Sequence, residues 1–296
     1  EPKFNYTSSI HGDETTGYVL TLRLIDHILT NYGTNAQITS LVDGAELWIN
    51  PLANPDGTFY AGNNNVSGAI RYNSMNVDLN RNYPDNVAGD HPDGKAYQTE
   101  TLAFMALADA NHFVLSANFH GGTEVINYPW DNTSTRHPDD DWYYFVSKEY
   151  AVNCQDAELA LDGTSNYMDA IYSNYQWPGV TNGSDWYTVY GGRQDYMNFS
   201  HQCKEVTIEL SNNKILFLED HYFRLMASMR IVRMEIPMHF TMEYIEQQLL
   251  NLINANNYKE SARIRMTVYR NEGGYYSPET NSISFLIQVS PLQNQK

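Results

Sequence analysis

Apolar residues change period along the first two thirds of the chain. Phe4–Ile10 alternates apolar and polar side chains, the period of a strand, and Glu14–Leu29 carries apolar residues at helical spacing. Glu46–Leu52 reads as a strand that runs into Asn54-Pro55-Asp56-Gly57, residue types that favour a turn. Thr99–Ala110 reads as a helix and Phe113–Phe119 as a buried strand. Trp142–Val152 reads as a helix whose start is marked by Asp139, Asp140 and Asp141, and Glu205–Leu210 is a further strand. This alternation predicts an α/β fold, a mixed, mostly parallel sheet with helices on both faces. In such sheets, sites form at the carboxyl ends of the strands.

The pattern changes after Ser211-Asn212-Asn213-Lys214. Beyond it come two helices (Glu219–Ile231 and Met242–Asn254) and two strands (Ala262–Tyr269 and Ser282–Val289), with Gly273-Gly274 between the strands. Composition breaks at the same place. Residues 1–214 hold 10 Lys and Arg against 27 Asp and Glu, whereas residues 215–296 hold 8 of each. All five Trp lie before the break and six of the ten Met after it. Two domains are therefore expected, 1–214 and 215–296, the second a small α+β segment.

The net charge of −17 argues against a nucleic-acid partner, because phosphate binding needs a cationic surface. No apolar run approaches the roughly 20 residues of a membrane span. The chain opens at Glu1 without a signal peptide. Cys154 and Cys203 are compatible either with one disulfide or with two buried thiols.

Three groups of residues carry candidate chemistry. His11-Gly12-Asp13-Glu14 lies between a strand and a helix, where a His and a carboxylate three residues apart can reach one metal ion. His120 ends an apolar strand and precedes Gly121-Gly122. Two His and one carboxylate leave a fourth position open for water, the pattern of a catalytic rather than a structural zinc site. Glu209 interrupts the apolar strand Val206–Leu210, and a buried Glu is costly unless paired or functional. Arg71, Asn80 and Arg81 sit in a stretch rich in Asn, where the planar guanidinium fork suits a carboxylate.

With these motifs in order, the chain up to about Lys214 resembles the zinc carboxypeptidases of the carboxypeptidase A superfamily, and more closely their carboxypeptidase N/E branch. The resemblance rests on His11-Gly12-Asp13-Glu14, on Asn50-Pro51 with Asn54-Pro55-Asp56-Gly57, and on Asp78-Leu79-Asn80-Arg81-Asn82-Tyr83-Pro84. It rests also on Ser116-Ala117-Asn118-Phe119-His120-Gly121-Gly122 and on Thr207-Ile208-Glu209-Leu210. It implies one Zn2+ held by His11, Glu14 and His120, with Glu209 as general base and Arg71 polarising the scissile carbonyl. Asn80 and Arg81 would clamp the terminal carboxylate of a peptide or protein C-terminus, and Tyr187 stands at the place of the family's substrate-capping tyrosine. Asp131 and Gln194 fall at positions of the side-chain pocket, where an acid favours C-terminal Lys or Arg. Secretion or a periplasmic location follows by analogy.

Two departures accompany the resemblance. The family's catalytic domain begins earlier, with a helix and two strands that precede the first metal motif. Residues 215–296 instead resemble the N-terminal domain of class IV, branched-chain-type aminotransferases, over Phe217–Leu225 and Ala262–Arg270. That family holds pyridoxal phosphate on a lysine further along. The tail has only Lys259 and Lys296, so no pyridoxal phosphate is expected. A fusion of two truncated genes accounts for both halves. The alternatives are an inactive fusion that binds zinc or peptide without turnover, and an aminotransferase fragment.

Overall fold

A computed structural model describes the chain except residues 64, 65, 67, 163–166, 173–175, 212–217, 257–261, 272–279 and 292–296. Part of the expected break, together with Phe217, Gly273-Gly274, Lys259 and Lys296, lies outside the described residues. Two compact units result, Glu1–Asn212 and Asn213–Lys296.

The first unit runs β1 (Lys3–Ser8), α1 (Thr16–Asn31), α2 (Ala36–Gly44), β2 (Glu46–Asn50), α3 (Pro55–Thr58), α4 (Thr99–Asn111) and β3 (Leu115–Gly121). It continues with β4 (Val125–Tyr128), α5 (Asp140–Asp162), β5 (Val180–Asn182), α6 (Gly183–Trp186), α7 (Arg193–His201) and β6 (Lys204–Leu210). The strands form one sheet in the order β2-β1-β3-β6-β4-β5. All neighbours are parallel except β4, which runs antiparallel to β6. The mixed, mostly parallel sheet read from the sequence is therefore present.

Strand alternation sorts the two faces of this sheet. Ala117, Phe119, Ile126 and Ile208 point to one side and pack with Leu20 of α1 and Ala151 of α5. On the opposite side, Phe113 and Trp48 pack with Phe104 and Ala108 of α4 and with Tyr196 and Met197 of α7. The row positions beside them on that side are polar. Asn5, Ser116 and Glu205 are register partners, as are Thr7, Asn118 and Thr207, and then His120 and Glu209. All eight are buried. A polar ladder thus climbs the central strands towards their carboxyl ends.

Five elements escaped the hydropathy pattern. β4 and β5 are only four and three residues long and α6 is a single turn, too short for a period to register. α2 has no buried residue at all. α7 is hidden for the opposite reason, since its buried residues include Arg193, Gln194, Asp195 and Asn198, which no apolar stripe reveals. The Asn54–Gly57 segment is a short helical turn, with the Asn54 side chain accepting from Gly57 N at 2.9 Å. Cys154 and Cys203 are not joined in a disulfide.

The second unit holds α8 (Leu218–Ile231), α9 (Met242–Ala255) and the antiparallel pair β7 (Ala262–Arg270) and β8 (Ile283–Pro291). Met226, Met229, Phe240, Ile245 and Leu249 give it its own core, against which Ile264, Met266, Phe285 and Ile287 pack. No helix among the described residues is long and apolar enough to cross a membrane.

Candidate active site

The loop after β1 is built to present two side chains upward. Gly12 lies so close to the α3 turn that a Cβ there would come within 2.3 Å of the Gly57 carbonyl carbon, so no side chain fits. Gly12 N donates to Arg71 O at 3.1 Å, Thr58 Oγ1 donates to Gly12 O at 2.7 Å, and Asn54 Nδ2 donates to Ile10 O at 3.2 Å. The Asn54–Gly57 motif is thereby the support on which the His11–Glu14 loop rests.

His11 and Glu14 meet His120, which stands at the carboxyl end of β3. All three are at least nine-tenths buried. Each imidazole turns its Nδ1 towards the Glu14 carboxylate at 2.8 Å, and the two Nδ1 atoms lie 3.1 Å apart. Tetrahedral zinc with Zn–N bonds of about 2.0–2.1 Å sets nitrogen ligands roughly 3.3 Å apart. The observed spacing suits one ion between these donors, and His, His and carboxylate are the donor types zinc takes.

The rear of each ring is also engaged. His11 Nε2 donates to Asp78 Oδ1 at 3.0 Å, leaving Nδ1 with a free lone pair. Asp78 Oδ2 accepts from Arg71 Nε at 2.9 Å, and Oδ1 accepts as well from Asn80 N. His120 Nε2 faces the amides of Asn118 at 3.0 Å and Asn80 at 3.4 Å. Burial alone would raise Glu14, yet His120 and His11 outweigh it and hold the carboxyl far below the usual range. Burial likewise opposes charge on His11, but Asp78 and Glu14 raise it.

Asp78 and Asn118 were not singled out by the sequence, although both lie inside quoted motifs. Asn118 could have been found from strand period, being two residues before His120 on the same face. Asp78 carried the weaker signal of an acid seven residues from Arg71.

A cleft of about 290 Å3 opens over the cluster. His11, Glu14, Arg71, Asn80, Arg81, His120, Asp131, Tyr187 and Glu209 all line it. Glu209 is 8 % exposed, and burial pushes its carboxyl up to about 7 against the pull of His120. Arg71 comes within 3.6 Å of Glu14. Tyr187 is half exposed at the rim, edge-on to Trp186. Asp131 sits in the wall, buried, and no Lys or Arg among the described residues lies within ion-pair distance of it. Burial raises its carboxyl. Gln194 does not line the cleft but stands behind it, donating from Nε2 to Asp131 Oδ1 at 2.9 Å and to Asn127 Oδ1 at 2.8 Å. The ten residues expected from the sequence thus converge on one cleft, nine in its lining and Gln194 a step behind.

A buried His-Glu-His cluster at the carboxyl ends of a mixed sheet, with a carboxylate beside it and arginines at the rim, is the architecture of a metallohydrolase. The zinc carboxypeptidase family model matches residues 1–230, and the chain belongs to that family. Mouse carboxypeptidase D is 37 % identical over 224 residues, covering 73 % of this chain and 16 % of that protein. Mouse carboxypeptidase M is 36 % identical over 228 residues, covering 71 % of this chain and 47 % of that protein. The chain therefore spans about a sixth of the first relative and about half of the second. Carboxypeptidase A from Helicoverpa armigera shares the fold, with a TM-score of 0.56 at 20 % identity over 73 % of this chain and 53 % of that one. The amino-transferase class IV model matches residues 202–296.

Proposed function

We propose that this chain is a zinc-dependent carboxypeptidase that releases the C-terminal residue of peptides and favours Lys or Arg there. One observation carries the reading. A single cleft joins the His11-Glu14-His120 donors to Glu209 and, within the same lining, to Arg81 and the buried acid Asp131. A metal site alone would fit many hydrolases. A cationic rim group for a terminal carboxylate beside an acid for a cationic side chain fits the end of a basic peptide.

His11, Glu14 and His120 would hold the ion, which when bound supplies Lewis-acid polarisation and makes water a better nucleophile at neutral pH. The residues divide the remaining work. Arg81 and Asn80 bind the terminal carboxylate, which restricts cleavage to the last peptide bond. Arg71 donates to the carbonyl oxygen as negative charge develops on it. Glu209 accepts a proton from the attacking water and returns it to the departing amine. Asp131, oriented by Gln194, receives the basic side chain, and Tyr187 closes over the bound end. All these groups lie in residues 1–214, the proposed catalytic domain. Residues 215–296 take no part in the chemistry and bind no pyridoxal phosphate.

The test is zinc content measured together with release of the last residue from matched peptides ending in Arg, Leu and Glu. One equivalent of zinc, release fastest from Arg, and loss of release in Glu209→Gln are expected. Zinc without release from any peptide would sink the peptidase reading, and equal rates on all three would sink the basic preference.

A further inference from the structure

Among the described residues, Arg193 is the largest fully buried side chain, and it takes no part in the chemistry above. Its side chain is 2 % exposed and pairs through the guanidinium at 3.2 Å with Glu205, which is fully buried. The same Nη2 donates to Asn5 Oδ1 at 2.8 Å and reaches Ser116 Oγ at 3.5 Å. Phe104 of α4 covers the guanidinium, whose carbon lies 5.0 Å from the ring centroid. Asn5, Ser116 and Glu205 form one row across β1, β3 and β6. One side chain from the first turn of α7 is therefore bonded to all three central strands.

A buried ion pair is a weak source of stability, because desolvation of both charges consumes most of the attraction. What it does supply is position. Arg193 N donates to Asn80 Oδ1 at 2.9 Å, so the Asn80 NH2 faces the cleft and lies 3.4 Å from His120 Nε2. Gln194 holds the Asp131 carboxylate, and Asp195 accepts from the backbone N–H groups of Asp131 and Asn132 at 3.0 Å. Three consecutive residues thus hold the carboxylate clamp, the pocket acid and the backbone that carries it. Among the described residues, none of the three bonds to His11, Glu14 or Glu209.

We propose that Arg193 is the positioning residue for substrate recognition. Its guanidinium fixes the first turn of α7 on the sheet, and that turn sets where Asn80 and Asp131 stand relative to the metal cluster. The proposal rests on the carboxypeptidase reading, whose failure is recognised separately by a wild-type chain that releases nothing from any peptide.

Arg193→Met alone strands the Glu205 charge in the interior, so the test pairs Arg193→Met with Glu205→Gln and adds Arg193→Lys. The lysine keeps the charge but is shorter and lacks the planar guanidinium that lies against Phe104. Melting temperature, zinc content, kcat and KM are measured on peptides ending in Arg and in Leu. The double variant should fold and keep one zinc with kcat near wild type. KM should rise about tenfold, as a displaced clamp implies, and the preference for Arg over Leu should shrink. Arg193→Lys should restore part of the KM. A folded, zinc-loaded double variant with wild-type KM and preference overturns the proposal, and so does zinc, kcat and KM failing together. Should the double variant not fold, Arg193→Lys decides, and wild-type KM and preference in it would overturn the proposal.

Discussion

His120 and Glu209 are register partners on the adjacent parallel strands β3 and β6. Their separation is set by the sheet, at the roughly 4.8 Å spacing of paired strands, and not by a loop. A metal donor and a candidate base are therefore held in fixed relation by six further register pairs below and above them. Groups mounted on strands keep their geometry far better than groups mounted on loops.

Glu209→Gln removes the carboxylate while keeping its shape. Zinc content should be unchanged and kcat should fall about 10²–10⁴-fold, the usual share of general-base catalysis. Metal analysis beside steady-state kinetics checks both halves. Comparable loss of zinc would show that Glu209 holds the cluster together and is not simply a base.

As the proposed base, the same residue should set the acid limb of activity. Burial raises its carboxyl to about 7 against the pull of His120, and a bound cation draws it lower. A base works only when ionised, so kcat/KM should climb with pH and level off by about pH 7. A profile from pH 5 to 9 tests this, and a limb lying above pH 7 would contradict it.

Asp78→Ala deprives His11 Nε2 and Arg71 Nε of their shared acceptor. Zinc affinity should weaken about 10–100-fold, as when other carboxylates behind a metal-bound His are removed. Competition with a chelator gives the number. Unchanged affinity would mean that the loop bonds around Gly12 suffice to orient His11.

Zinc competes with protons for the cluster. Asp78 and Glu14 raise His11 above its ordinary 6.5 in the metal-free protein. Affinity should fall as pH drops through that raised value and be greatest above it. Zinc should also raise the melting temperature at pH 8 more than at pH 6, since only the folded cluster binds it tightly. Scanning calorimetry with and without a chelator at the two values reads this directly.

Asp131→Asn separates stability from selectivity. Burial raises the Asp131 carboxyl above its unfolded value, so this group destabilises the fold as pH rises from the unfolded towards the folded pKa. The amide has no such cost and still accepts from Gln194. At pH 8 the variant should be more stable by on the order of 1–3 kcal/mol, while preference for Arg over Leu should drop. A less stable variant would mean that Asp131 is ionised and satisfied in the resting protein.

Much of this arrangement is legible in the sequence. Strand period predicts β1, β3 and β6, and the residues singled out at and after their carboxyl ends meet in one cleft. Asp131 was placed in the pocket wall only through a resemblance, since nothing local marks an acid after Tyr128-Pro129-Trp130. α7 was invisible to hydropathy, because it is buried through its polar side chains and stabilised by bonds to strands far away in sequence. Motif matching read Gln194 as a pocket residue, but gave no hint that Arg193 beside it spans the sheet. Features assembled from contacts between distant residues leave no periodic trace.

Gly183 opens α6, against Asp131. A Cβ built on it would lie 1.7 Å from Asp131 Oδ1. The carboxylate occupies the volume that any other residue would need for its first side-chain carbon. A single methyl at position 183 would evict the acid from the wall without altering it. If Asp131 sets the preference as proposed, that preference depends on two positions, one that carries the charge and one that carries nothing, and the empty one could erase the full one.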